Sequence, residues 1–436
     1  MKKNGFIMST YVYILLVFFL LLLGTMLVVL NNTRLLANKI KENTDGNIDF
    51  NLVLKGDKEI FIVKDSEYIE PGCIATTFDG EKLEVRVMGE VNAKKSGEYD
   101  IEYSAEYKGV EKKVKRKVIV GENLVTYITN LYEDSITRAS NNLKKDNTED
   151  KNIRYYGANP NNYVKFNNEL WRIIGIFGNN VKLIRNDRLG WLSWDTSEST
   201  VNSGYGINQW GESKDTSGNI YEGADLQVYL NKMYYGGIEV TCYNDLNNTK
   251  TTCPKDSNGN FLELDDVAKN LIDNHTWNIG AMRYISRTNT LTFYQAERGS
   301  VHGKSSCSSG NQCNDTIIRT TEWTGYVGLP YVTDWAYASS ESVCETNMAT
   351  QDSSNNYICK NNNWMQKSIL AWYLLPVTTS SGACYAWYVN KTGDPAGNYT
   401  YGLGGVIPAV YLKSDVFVTG GLGTSDNPYK LWLSEN

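Results

Sequence analysis

The strongest feature of the hydropathy pattern is an uncharged run of 20 residues, Tyr11 to Leu30. A helix of this length spans about 30 Å, the thickness of the hydrocarbon core of a bilayer. A cleaved secretory signal has a shorter apolar core and ends at a small-residue cleavage site, and no A-x-A pattern follows Leu30. We therefore predict a retained transmembrane helix at 11–30, with a cytoplasmic segment at 1–10 and a stalk at 31–56.

After the stalk, the pattern changes to short segments in which apolar and polar residues alternate, as they do in half-buried strands. These segments are EIFIV (59–63), KLEVRVM (82–88), GEYDIEYSAEY (97–107) and EKKVKRKVIV (111–120). Several short strands at this spacing predict an all-β sandwich at 57–120. Val125, Ile128 and Leu131 then recur near helical spacing, which predicts a helical linker at 121–152.

The remaining residues, 153–436, predict one α+β domain. The predicted elements are strands at 163–166, 170–177 and 181–184, helices within 224–237 and 262–280, and strands at 369–376, 384–390 and 405–414. The second helix would have Val267, Leu271 and Ile272 on its apolar side. We expect the first and last strands of this domain to pair with each other.

Six of the eight cysteines form three close sequence pairs around polar, turn-rich stretches. We predict disulfides Cys242–Cys253, Cys307–Cys313 and Cys344–Cys359. Metal sites need C-x2-C spacings or histidine partners, and the cysteine pairs have neither, so we predict no metal. Because disulfides form in an oxidising compartment, the C-terminal domains should be extracellular. Cys73 and Cys384 remain, and we expect both to be buried free thiols.

Composition narrows the range of functions. The net charge is −6, which argues against a nucleic-acid partner, because phosphate binding needs a basic face. The two histidines, His275 and His302, leave little room for His-dependent catalysis. His302 lies near Glu297, but no G-x-S-x-G elbow accompanies them. We expect no catalytic residues and no cofactor.

The second segment of the chain resembles a known domain family. The stretch YIEPGCIATTFDGEKLEVRVMGEVNAKKSGEYDIEYSAEYKG has the order E-P-G, D-G, V-x-V, G-x-V and G-x-Y-x-I-x-Y. It resembles the bacterial immunoglobulin-like (Ig-like) domains of surface proteins. The resemblance covers about 55 residues of 57–120 and implies that this domain is a spacer.

Longer segments of the last domain carry a second resemblance. They are IRYYGANPNNYVKFNNELWRIIGIF, DLQVYLNKMYY, GLPYVTDWAYAS, AWYLLP, AWYVNKTG and GVIPAVYLKSDVFVTGGLGTSDNPYKL. These resemble a family of uncharacterised surface domains of gut Firmicutes, which is similar to the C-type lectin and sulfatase-modifying-factor fold. The resemblance implies a C-type-lectin-like α+β fold for 153–436. Typical members have the sequences W-L-R-S-P and G-V-R-P-A-L at positions where this chain has YLLP and VIPAV. Because the Arg and Ser of those motifs are missing, the resemblance does not imply a polar site at these positions.

The start of the chain carries a third resemblance. Lys2, Lys3, Gly5 and Phe6 precede the apolar run in the order found in type IV prepilins and pseudopilins. The resemblance implies processing after Gly5 and pilus-like assembly. Thr10 stands where that family has glutamate, so a plain membrane anchor and a pilin-like stem both stay open.

In C-type-lectin-like folds, ligands sit among long irregular loops, because loops vary on a fixed sheet. The longest such loop here is Ser193 to Glu222, a polar excursion rich in Ser, Gly and Asn, and Trp191 lies just before it. Aromatic rings with nearby Asn and Asp are typical of sugar sites. With the alternative that these rings are core, the predicted ligand-binding residues are Trp194, Asn208, Trp210, Asp215, Tyr331, Asp334 and Trp335.

Together these features predict a cell-membrane, single-pass protein whose extracellular domain binds a glycan or protein ligand. One alternative is a minor pilin-like tip subunit with an adhesive head. A second is an enzyme related to the sulfatase-modifying factors, which would need a reactive cysteine pair rather than disulfides.

Overall fold

A computed structural model describes the chain from residue 49 to 433, with gaps. The gaps are 197–206, 216, 245–249, 281, 283–286, 300–316, 350–357, 367–370 and 378–384; seven separate residues between Phe19 and Thr33 are also described. Most of the predicted transmembrane helix and stalk therefore lies outside the described residues. Where the chain is described, it contains no helix with the length and apolar character needed to cross a membrane.

The chain divides into two compact units, 1–94 with 98–119, and 95–97 with 120–436. The strands that lie wholly or mostly in the first unit are β1 (Phe50–Leu54), β2 (Glu59–Val63), β3 (Cys73–Thr77), β4 (Lys82–Leu83), β5 (Arg86–Met88), β6 (Gly97–Tyr107) and β7 (Val110–Asn123). One sheet has the order β1-β3-β4, while β2 and β6 both pair with β7, and β5 pairs with β6. Phe50, Ala75 and Ala105 form the buried core. The alternating pattern predicted β2 and β6 at their observed bounds and β7 to within three residues, whereas the predicted strand at 82–88 is divided into β4 and β5. β1, which lies inside the predicted stalk, and β3 were not predicted. Cys73 is a free thiol that is half-buried rather than buried.

The described part of the second unit contains 23 further strands. The first nine are β8 (Leu143–Lys145), β9 (Ile153–Tyr155), β10 (Tyr163–Phe166), β11 (Glu169–Phe177), β12 (Asn180–Arg185), β13 (Gly190–Ser193), β14 (Ser213–Asp215), β15 (Ile220–Tyr221) and β16 (Cys242–Tyr243). The next seven are β17 (Lys250–Thr251), β18 (His275–Asn278), β19 (Arg287–Thr288), β20 (Ile317–Ile318), β21 (Glu322–Gly325), β22 (Val327–Gly328) and β23 (Met348–Ala349). The last seven are β24 (Trp372–Val377), β25 (Tyr385–Val389), β26 (Pro395–Tyr399), β27 (Leu403–Val406), β28 (Ala409–Tyr411), β29 (Val416–Gly420) and β30 (Tyr429–Leu433).

The predicted meander forms the centre of the largest sheet of this unit, which runs β22-β28-β12-β11-β10-β30-β29. Asn167 and Asn168 have positive φ values of 53° and 56°, the backbone conformation that a tight hairpin turn requires and that Asn tolerates. The expected pairing of the first and last predicted strands is wrong. β10 pairs with β11 and, in parallel, with β30, where Val164 lies opposite Tyr429. The predicted strand at 405–414 falls on β27 and β28, which pair with β13, β24, β12 and β22. A second sheet has the order β13-β27-β24-β25-β26.

The helices are short, although the helix predicted within 224–237 is present at close to that length. They are α1 (Leu124–Glu133), α2 (Ser135–Asn141), α3 (Asp225–Val228, continued by a π-helix at Tyr229–Tyr235), α4 (Asp266–Leu271), α5 (Thr290–Gly299), α6 (Val332–Tyr337) and α7 (Val343–Thr346), with a 3-10 turn at Ile358–Lys360. The predicted helix within 262–280 ends at Leu271, and β18 follows it. Val267 is exposed rather than on the apolar side, because only Ala268 and Leu271 of α4 are buried.

Two of the three predicted disulfides are confirmed, Cys242–Cys253 and Cys344–Cys359. The Cys307–Cys313 pair and Cys384 lie outside the described residues. The buried apolar side chains of the second unit form two clusters. Trp194, Trp210 and Tyr331 belong to the larger cluster, and Trp335 belongs to the smaller one.

Candidate functional site

The predicted tryptophans of the polar excursion lie in the hydrophobic core. Trp194 and Trp210 are 0% and 1% exposed, and their ring centroids are 5.0 Å apart. The indole nitrogen of Trp194 donates to the carbonyl of Gln209 (3.1 Å). A ring enclosed in this way has no open face for a ligand to stack on. Ligand contact by these two rings stays a prediction, and their burial favours the core alternative.

The polar residues predicted to bind ligand beside these rings form hydrogen bonds with backbone groups of the protein. Asn208 is fully buried, and its side-chain amide donates to the carbonyl of Tyr385 (2.8 Å). The carboxylate of Asp215 accepts from the backbone N–H groups of Ser217 (2.8 Å) and Asn219 (2.9 Å). These bonds close a local turn, which is the ordinary work of Asp in such a position. Residues 197–206 and 216 of the excursion lie outside the described part.

The other predicted residues, Tyr331, Asp334 and Trp335, are also buried, at 2%, 1% and 1% exposure. Tyr331 accepts from the N–H of Asn278 through its hydroxyl (2.8 Å). Asp334 accepts from the backbone N–H of Tyr331 (2.9 Å) at the start of α6. The Trp335 indole donates to the Gln366 side chain (3.4 Å). The seven predicted residues therefore do not form an open groove in this structure.

Trp191 is the tryptophan that meets solvent. All eleven tryptophans lie in the described part of the chain; eight are buried, two are partly buried, and Trp191 alone is exposed, at 37%. Its position at the second residue of β13 explains the difference from Trp194. Trp191 pairs in register with Gly405, and Leu192, the next residue, points to the opposite, buried side.

Trp191 lines a cleft of about 550 Å³ formed by the loop between β12 and β13. The lining residues are Asn186, Asp187, Arg188, Leu189, Gly190, Trp191 and Ile407. The Arg188 guanidinium lies 5.1 Å from the centroid of the Trp191 ring, within cation–π range. The volume falls within the range of small-molecule sites, about 300–1,000 Å³. An aromatic ring, a guanidinium and an amide therefore converge at one accessible place.

Arg185, the last residue of β12, holds this loop in shape. Its guanidinium donates to the carboxylate of Glu169 (2.6 Å) and to the backbone carbonyls of Asp187 (2.7 Å) and Arg188 (2.9 Å). The N–H of Leu189 donates to the carbonyl of Val406 (2.8 Å), which ties the end of the loop to β27. With its carbonyls paired in this way, the loop presents its side chains from a fixed backbone.

The segment that follows the Cys242–Cys253 disulfide packs against Gly190, one of the residues that line the cleft. A Cβ placed on Gly190 would lie 2.9 Å from Cγ of Pro254, the residue after Cys253. Contacts that close are not found for real Cβ atoms, so glycine lets the two backbones approach. The disulfide loop therefore packs against the base of β13, beside Trp191.

A second polar cluster, which the sequence did not indicate, lies inside this unit. The Lys182 ammonium lies 2.6 Å from Oδ2 of Asp334, and Nη1 of Arg154 lies 2.8 Å from Oδ1. Arg154 also binds Asp146 (2.6 Å). Burial lowers the pKa of Lys182 to about 8, although Asp334 opposes that shift. Burial, with a smaller contribution from Asp334, raises the pKa of Glu297 to about 7 against the opposing charge of Arg298.

The last candidate residue in the described part of the chain is His275, which packs against an aromatic ring and lies beside a carboxylate. His275 stacks on Tyr411 with ring centroids 3.7 Å apart and lies 3.0 Å from Oδ2 of Asp273. Burial lowers the pKa of His275, with Asp273 acting in the opposite direction. His302 lies outside the described residues. Within the described ranges, no three His, Cys, Asp or Glu side chains form a group suited to a metal ion.

Comparison with known proteins identifies one domain. Residues 52–120 match the family model described as bacterial surface protein, Ig-like domain. The first unit therefore carries a bacterial-surface Ig-like domain. No curated protein sequence matches the chain.

Solved structures give weaker similarities. The chain is similar to the lipoprotein BT2262 from Bacteroides thetaiotaomicron, with 20% identity, TM-score 0.17, and coverage of 40% of this chain and 77% of that one. It is also similar to the CBM51-2 and INT domains of ZmpB from Clostridium perfringens, with 11% identity, TM-score 0.14, and coverage of 39% and 38%.

Proposed function

We propose that the protein is a membrane-anchored, cell-surface binding protein whose second unit holds its ligand at the Trp191 cleft. The Ig-like domain at 52–120 supports the surface location, and the apolar run at 11–30 is the proposed anchor. The two confirmed disulfides fit an oxidising, extracellular compartment. We propose binding rather than catalysis, without cofactor or nucleic acid.

The observation that carries the proposal is the exposure of Trp191 at a cleft of suitable size. The Trp191 ring offers an apolar face for the C–H face of a sugar or for an apolar side chain. The Arg188 guanidinium and the Asn186 amide can direct hydrogen bonds to hydroxyl, carbonyl or carboxylate oxygens. These groups suit a glycan, and we propose a glycan as the first ligand class to test.

A glycan-array screen of the full chain tests the proposal, with Trp191→Phe and Trp191→Ala measured beside the natural protein. We expect Trp191→Ala to weaken binding of any glycan identified by roughly tenfold, equivalent to about 1.4 kcal/mol. Trp191→Phe keeps an aromatic face and should retain most of the affinity. Binding that is unchanged in Trp191→Ala would place the ligand elsewhere on the surface.

A further inference from the structure

We propose that Lys182 and Asp334 become joined by an intramolecular amide bond between the Lys182 amine and the Asp334 carboxyl group. Nζ lies 2.6 Å from Oδ2, and both side chains are 0% exposed. This contact brings the amine and the carboxyl group together within one enclosed site, which is the proximity that converts a slow bimolecular condensation into an intramolecular one.

Burial of Lys182 raises the fraction of its uncharged, nucleophilic form above that of an exposed lysine, while the ammonium form stays paired with Asp334. The Nζ atom lies 3.8 Å from the ring centroid of Tyr331, 5.1 Å from those of Trp277 and Tyr411, and 5.7 Å from that of Phe177. Removal from water disfavours the ammonium ion, and the pKa of Lys182 falls accordingly to about 8. An unprotonated amine is the form of lysine that attacks a carbonyl carbon.

The hydrogen bonds to Asp334 distinguish its two oxygens. Oδ1 accepts from Nη1 of Arg154 (2.8 Å), so the guanidinium can stabilise negative charge that develops there during attack. Oδ2 accepts from the Lys182 ammonium and from the backbone N–H of Tyr331 (2.9 Å). Oδ2 is therefore the oxygen placed to receive protons and depart.

Glu297 supplies the buried acid that such a condensation needs. It is 0% exposed and accepts from the hydroxyl of Thr333 (2.9 Å), the residue before Asp334. Lys182 and Asp334 both act electrostatically on its carboxyl group. An acid that titrates near neutral pH can both donate and accept a proton under working conditions.

The reaction is balanced without a further reagent. The Lys182 nitrogen forms a bond to Cγ of Asp334, and the bond from Cγ to Oδ2 breaks. Of the three ammonium protons, one stays on the amide nitrogen and two leave with Oδ2 as water, one of them carried by Glu297. The site is enclosed, so water has little access for the reverse hydrolysis. The product would link β12 covalently to α6.

Peptide mass spectrometry of the reduced, denatured full chain tests this proposal, because a salt bridge does not survive denaturation. We expect the peptides containing Lys182 and Asp334 to be recovered as one species, lighter than their sum by one water molecule. Lys182→Met provides the negative control, in which the Asp334 peptide should be linear.

The Glu297→Gln variant tests the role of the acid, since glutamine is close in shape but cannot exchange the proton. The joined species should fall at least tenfold in abundance, and Glu297→Asp should restore part of it. Separate, full-mass peptides in the natural protein would overturn the bond itself. Undiminished joining in Glu297→Gln would overturn the role of Glu297.

Discussion

Strand β12 carries two basic residues, Lys182 and Arg185, that meet acidic partners at the same distance in different surroundings. The Lys182–Asp334 and Arg185–Glu169 contacts are both 2.6 Å long. The first pair is completely enclosed, whereas the side chains of the second are 11% and 27% exposed. Burial brings the pKa of Lys182 down to about 8. For Arg185, burial also lowers the pKa, but the hydrogen bond to Glu169 and nearby acidic groups raise it overall.

At equal separation, the solvent exposure of the two charged pairs decides how the pKa of each basic residue is shifted and what role each pair has. Inside the domain, desolvation lowers the pKa of Lys182 and makes an unpaired charge costly. At the rim, Arg185 stays charged and fixes two loop carbonyls, so that Arg188 and Trp191 face an open cleft. Lys182 therefore belongs to the interior of the unit, whereas Arg185 supports the loop that lines the cleft.

The largest effect should come from breaking the internal network without touching Lys182. Arg154→Met leaves Asp146 and Asp334 buried without their shared guanidinium. Removing one partner of a buried ion pair costs about 3–5 kcal/mol of unfolding free energy. Arg185→Met is the matched control at the rim and should cost about 1–2 kcal/mol. Denaturant unfolding curves measure both; equal losses would contradict the distinction between the two ends of β12.

Much of the fold was readable from the sequence because it depends on local patterns. Period-2 alternation predicted β2 at 59–63 and β6 at 97–107, and the Asn167-Asn168 turn predicted the hairpin of β10 and β11. Cysteine spacing predicted two disulfides that the structure contains. The helix predicted within 262–280 ends at Leu271. Ile272, expected on its apolar side, is buried and forms a β-bridge with Leu412 instead.

The sites were less predictable because they depend on contacts between distant residues. Trp191 and Trp194 have similar neighbours in sequence, and only their packing separates a solvent-facing ring from a core ring. Lys182 lies in the apolar run of β12, and its partner Asp334 is 152 residues further along the chain. The spacing of residues along the chain cannot reveal such a pair.

The next largest effect on stability should come from the titration of Glu297. Its carboxyl group is buried and interacts electrostatically with Arg298, Asp334 and Lys182. Its pKa is raised from 4.5 to about 7 in the folded protein. The folded state therefore holds a proton that the unfolded state releases, so stability should decline as pH rises from 4.5 to 7, by about 3 kcal/mol in total. In Glu297→Gln this decline should disappear. Unfolding free energies across that pH window measure the slope, and an unchanged slope in the variant would assign it to another group.

A somewhat smaller effect is expected from the disulfide beside the cleft. Replacing Cys242 and Cys253 together by alanine should cost about 2–3 kcal/mol, because the bridge closes a short loop. Cys73→Ser, at the free thiol of the first unit, is the control and should change stability by no more than about 0.5 kcal/mol. Thermal melting measures both. A double variant as stable as the control would mean that the bridge does not support this region.

The smallest change in stability, and the most direct test of the proposed recognition surface, comes from Trp191→Ala, with the buried Trp194, three positions away, as its control. Trp191→Ala and Trp194→Ala are compared for melting temperature and for binding to a glycan selected on the array. Trp191→Ala should lose about tenfold in affinity, with a much smaller fall in melting temperature than Trp194→Ala, because Trp191 is 37% exposed. Trp194→Ala should lose about 3–5 kcal/mol of stability, because its ring is enclosed. A collapsed melting temperature in Trp191→Ala, or full binding by it, would contradict the assignment of this cleft as the ligand site.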